Sequence, residues 1–137
     1  MAAFTNYLEN KLIDHIFQNT AFTSPSTLYV ALFTAVSDGE AGTVTEVSGG
    51  SYARVAVTAN SSNWSDATGN NGTTSNVNAV TFPAATADWG TVTHFGIYDA
   101  STAGNLLVYA ALTSSRNITN GSTPSFAAGA LTVQIDN

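Results

Sequence analysis

The spacing of hydrophobic positions changes from helical to extended early in this chain. Leu8, Leu12 and Ile16, flanked by Ile13 and Phe17, recur every three to four residues, which predicts one short amphipathic helix over residues 7–18. Asn6 followed three residues later by Glu9 reads as a capping pair at its start. Pro25 and the Ser and Thr residues around it close that region. From Thr27 the period becomes two. Leu28, Val30 and Leu32 fall on one face and Tyr29, Ala31 and Phe33 on the other, so both faces of this strand are expected to be buried.

Further extended patterns occupy residues 44–47, 52–59, 77–82, 92–98, 106–112 and 130–135, with a weaker one at 117–119. The Ala-Ser-Thr-Ala-Gly run between Asp99 and Asn105 can reverse the chain, which pairs 92–98 with 106–112 as a hairpin. Residues 60–76, NSSNWSDATGNNGTTSN, read as a long exposed loop whose one large apolar residue, Trp64, suggests ordering by contact with another surface. Short strands separated by Gly, Asn and Ser clusters predict a mainly β protein. The expected fold is an antiparallel β-sandwich, jelly-roll-like, with an N-terminal helical arm at 1–26 and the sandwich at 27–137. The arm either packs on its own domain or docks on a neighbouring subunit.

Composition narrows the function more than the fold. A chain of 137 residues is long enough for one domain with its own core, and the absence of cysteine leaves stability to packing and subunit contacts. Lys11, Arg54 and Arg116 face nine acidic residues for a net charge of −6, so no basic stripe is available for a phosphate backbone and no nucleic-acid partner is expected. No basic segment leads into an apolar run at the N-terminus, and no apolar stretch approaches the roughly 20 residues that cross a bilayer, so no membrane partner is expected either. The Asn-x-Ser/Thr sequons that begin at Asn60, Asn63, Asn71, Asn117 and Asn120 are read as products of an Asn-, Ser- and Thr-rich composition.

Candidate chemistry is sparse. His15 and His94 have no carboxylate or second histidine at ligand spacing. Asp38 and Glu40 flank Gly39 with Glu46 nearby, a set of hard oxygen ligands that lacks the twelve-residue calcium-loop pattern. Gly49 and Gly50 are followed by a strand pattern rather than by the Lys-Ser/Thr of a phosphate loop. Asp88 and Asp99 flank one strand and are the pair a glycan hydrolase would need, but both read as turn residues. No catalytic residue, cofactor or metal site is expected, and the chain is read as a non-enzyme.

The segments LYVALFT at 28–34, EVSGGSYAR at 46–54, FPAATADWGTVTHFGIYDA at 82–100, GNLLVYAAL at 104–112 and FAAGALTVQID at 126–136 resemble small virion proteins of tailed bacteriophages. The resemblance covers nearly the whole chain. The sequence is similar both to tail-fibre-like proteins and, in size and style, to capsid cement or decoration proteins. What the resemblance implies is a structural component of the virion, often a homotrimer, with no catalytic residues to assign. The first expectation is a cement protein on the capsid exterior, bound to the major capsid protein and to itself across subunit junctions. The alternative is a tail-fibre or tail-tip module that meets host glycans through Tyr52, Trp64 and Trp89. With the arm residues Phe4, Tyr7 and Phe22, these aromatics are the interaction candidates.

Overall fold

In the computed structural model, residues 2–67, 69 and 71–135 are described. In chain order the elements are β1 (Ala3–Phe4), α1 (Asn6–Phe17), β2 (Thr27–Asp38), β3 (Thr43–Glu46), β4 (Val55–Thr58), β5 (Thr73–Ser75), β6 (Val80–Thr81), β7 (Gly90–Tyr98), β8 (Leu106–Ile118), β9 (Ser125–Phe126) and β10 (Thr132–Gln134). The long strands make one six-stranded antiparallel sheet in the order β1-β8-β7-β2-β3, with β4 also paired to β2. Four consecutive residues of β2, Val30 to Phe33, are buried, as expected for a strand covered on both faces.

The hairpin of β7 and β8 is the frame of the sheet, with Ile97 opposite Val108 and Tyr98 opposite Leu106. Its turn is clamped by Asp99, whose carboxylate accepts from the backbone N–H of Asn105 (2.7 Å) and from its amide Nδ2 (2.8 Å). Gly104 has a φ of +73°, and a Cβ there would lie 2.6 Å from both the Ala100 Cβ and an Asp99 carboxylate oxygen. Asp88 has the same kind of task, accepting from the Asn120 N–H at 2.8 Å.

The second layer is built from two ribbons, β5 with β10 and β6 with β9, rather than from a second broad sheet. The principal core lies between sheet and ribbons, where Val30, Leu32, Val92 and Phe95 meet Val80, Phe82 and Leu131. Buried Asn76 organises this layer. Its Nδ2 donates to the Asn78 and Ala127 carbonyls and its Oδ1 accepts from the Leu131 N–H, each at 2.9 Å, so its amide is satisfied on both ends. On the other face of the sheet a smaller cluster of Ala31, Phe33, Tyr98 and Leu106 is held by an edge-to-face contact of Phe33 with Tyr98.

Several expectations needed correction. The stretch 52–59 enters the sheet only at Val55, because Tyr52 is turned into the core, and 77–82 contracts to β6. Residues 60–76 are not one exposed loop: they contain β5, and Trp64 forms a β-bridge with Asn76. The weak pattern at 117–119 is the end of β8. Strands β1, β5 and β9 were not anticipated, since two or three residues are too few to show a period.

Candidate interaction surface around the N-terminal helix

The start of α1 is pinned by a residue the sequence reading passed over. Thr5, only 1% exposed, caps the helix by accepting from the Leu8 N–H. Its hydroxyl donates to the Leu106 carbonyl (2.6 Å), with the Leu107 carbonyl 3.2 Å away, and its own N–H donates to Leu107 at 3.0 Å. The expected cap, Asn6, is instead the first helical residue, and its N–H donates to the Glu40 carbonyl. A polar residue three before Glu9 matched the capping pattern, but the side chain one position earlier has the non-helical backbone that a cap requires (φ −84°, ψ 159°).

This anchoring decides which way the helix faces. Tyr7 and Leu8 pack against the core, while no residue of α1 is fully buried and Ile13, Ile16 and Phe17 are 55%, 68% and 78% exposed. The apolar face is therefore split, with Tyr7 and Leu8 on the core and its C-terminal half outward. Burying three such side chains is worth about 1.5–3 kcal/mol each, so the isolated chain forgoes an amount comparable with the net stability of a small domain. After the helix the chain turns at Asn19 (φ +53°), and the Phe22 N–H donates to His15 Nδ1 at 3.1 Å.

Beside the exposed ridge runs a groove of about 590 Å³ lined by Phe4, Glu9, Leu12, Ile13, Glu40 and Ile135, among others. Ile135 is 70% exposed. Tyr109 stands nearby, packed so closely over Gly39 that a Cβ on that glycine would overlap its ring. Burial, reinforced by the charges of Glu40, Asp38 and Glu9, raises the Tyr109 hydroxyl above its ordinary pKa.

The six aromatic candidates separate into three settings. Phe4 and Tyr7 are half-buried at the root of the arm, and the Lys11 ammonium lies 5.8 Å from the Tyr7 ring centroid. Phe22 is half-buried beyond the helix. Tyr52 and Trp89 belong to the interior instead. Their rings meet edge to face, Tyr52 stacks on Phe82, and the Trp89 Nε1 donates to the Gly50 carbonyl at 2.9 Å. The Tyr52 hydroxyl accepts from the Leu32 N–H (3.0 Å) and donates to Glu46 Oε1 (2.8 Å). Burial is the main reason its pKa is pushed far above the usual tyrosine value.

Glu46 is in turn bound at 2.8 Å by both Nε and Nη2 of Arg54, whose guanidinium lies 3.5 Å over the Tyr98 ring. Burial alone would lower the Arg54 pKa, but the hydrogen bonds and charge of Glu46 carry it above its ordinary value. Glu46 is thus committed to Arg54 and Tyr52, and the nearby Asp38 carboxylate accepts from the Ala41 N–H. Among the described residues no group of three or more potential metal ligands converges.

Trp64 is the third setting. It lines an open hollow of about 460 Å³ with Phe4, Leu8, Leu28, Leu107 and Val133, and polar Asn60, Asp66 and Thr74 also border the hollow. Its indole N–H is buried with no hydrogen-bond partner among the described residues.

A small antiparallel β module carrying an anchored, outward-facing helix has the form of an assembly part, and its class is that of a phage virion structural protein of tail-fibre type. More particularly, residues 3–134 match the family described as Podophage GP4 fiber I protein gp80, and the chain belongs to that family. No curated protein matches the sequence. The match falls on the fibre side of the two virion roles read from the sequence, and the cement reading draws no support from it.

Proposed function

We propose that this chain is a module of the tail-fibre apparatus that joins other virion chains through its N-terminal arm, in place of the capsid cement role expected first. The observation that carries this reading is the family match over residues 3–134 to a fibre protein. The outward apolar ridge of α1 adds to it, because a part built into a larger assembly needs surface to bury there. The major capsid protein as partner belonged to the cement reading and is set aside with it. Self-association as a homotrimer stays within the proposal, to be measured by sedimentation of the purified chain.

The role is non-enzymatic, with Asp88 and Asp99 both engaged by turn N–H groups. Where the module meets host glycans, Trp64 is the aromatic left at an open hollow, since Tyr52 and Trp89 are held inside. Cryo-electron microscopy of the intact particle, with this fold placed in the map, is the test. A small number of copies at the tail is the expected result; copies distributed over the capsid shell and absent from the tail would overturn it.

A further inference from the structure

The charges around the exposed ridge say what kind of chain can cover it. Ile13, Ile16 and Phe17 stand at i, i+3 and i+4, the spacing by which a helix presents anchors to a partner, and the adjoining groove extends the apolar surface through Leu12 and Ile135. Glu9 and Glu40 line the same groove. No cation lines this groove among the described residues. Arg54 is bound to Glu46, Lys11 is half-buried with its ammonium near the Tyr7 ring, and Arg116 borders a different hollow, at the far end of β8. A partner that buries the apolar ridge also takes water away from Glu9 and Glu40, and an unpaired carboxylate removed from water is strongly unfavourable. The covering chain must therefore bring positive charge with its apolar side chains.

We infer that the ridge of α1 and its groove are a docking surface for a basic, apolar segment of another virion chain. A second copy of this protein is the wrong occupant, because a chain of net charge −6 would set carboxylates against carboxylates. The inference rests on the reading of the protein as a virion component, but not on its placement at the tail.

The test uses the full chain and two labelled synthetic amphipathic helices, each with a leucine stripe, one flanked by lysines and the other by glutamates. Fluorescence anisotropy is expected to show the lysine peptide binding at least about tenfold tighter, with an affinity that falls as salt rises. Ile16→Ser with Phe17→Ser should weaken it about tenfold at unchanged melting temperature, since both side chains are solvent-exposed in the free chain. Glu9→Gln with Glu40→Gln should bring the two peptides close to equal affinity. Equal binding of both peptides by the wild type, or binding of neither, overturns the inference. So does self-association that Phe17→Ser abolishes, which would make a second copy the occupant. In the particle, a basic chain over α1 supports the inference even if the protein proves to lie on the capsid; a ridge facing solvent in every copy overturns it even if the protein lies at the tail.

Discussion

Tyr52, Phe82 and Trp89 in the body of the molecule and Ile13, Ile16 and Phe17 on its helix are similarly apolar in sequence, yet the first set is packed into the core and the second stands in solvent. The difference lies in their polar neighbours. Around Tyr52 each polar end has a partner: Leu32 and Glu46 for the phenol, Gly50 for the Trp89 indole, Arg54 for Glu46. These bonds fix the rings against the sheet at no cost in unpaired groups. The helix is tied to the body at its beginning, through Thr5 and Asn6, whereas Ile13, Ile16 and Phe17 in its C-terminal half stand largely in solvent. Apolar character alone did not decide burial; the position of the polar tethers did.

The sharpest way to break this comparison is truncation on each side. Phe82→Ala, at a site 2% exposed, should destabilise by about 3–5 kcal/mol in urea unfolding, against less than about 0.5 kcal/mol for Phe17→Ala. Equal costs would mean that the ridge is packed in the free chain. Glu46→Ala comes next, at about 3 kcal/mol, because it leaves an Arg54 side chain that is only 6% exposed without its carboxylate. A neutral result there would show that the Ala100 and Ala103 carbonyls, which Arg54 also contacts, are sufficient for it.

Thr5→Ala should cost about 1–2 kcal/mol through the lost cap and the lost bond to Leu106, with circular dichroism reporting the loss of helix. Retention of full helicity would locate the anchor elsewhere. A still gentler probe is alkaline pH. In the folded protein Tyr52 ionises far above its ordinary value, while in the unfolded chain it ionises near pH 10. Its contribution is therefore complete below about pH 10 and falls by about 1.4 kcal/mol per pH unit above it. Tyr52→Phe should flatten that alkaline slope in a thermal-melting series, and an unchanged slope would assign it to Tyr98 and Tyr109, whose ionisation burial also opposes.

How far the sequence could be read depends on the length of each pattern. Strand β2 and the β7–β8 hairpin were legible, because four or more alternating residues around a Gly-bearing turn admit few other arrangements. Two-residue strands such as β1 and β9 carry no period and exist because a neighbouring backbone offers partners. Phe4 and Tyr7, read as interaction candidates beside an apolar helix, lie half-buried at its root. Trp64 was expected in an exposed loop and sits at a hollow that the ribbon of β5 and β10 helps to enclose.

By itself, then, the sequence determined a mainly β protein with one short N-terminal helix, a net charge of −6, and a resemblance to phage virion proteins, since period, charge and motif are local properties of the chain. Only the tertiary structure decided which half of the helix turns outward, which tryptophan borders an open hollow, and that Glu9 and Glu40 line one groove. Each of these depends on bonds between residues far apart in sequence, as Thr5 to Leu106 shows, and no periodicity along the chain records such bonds.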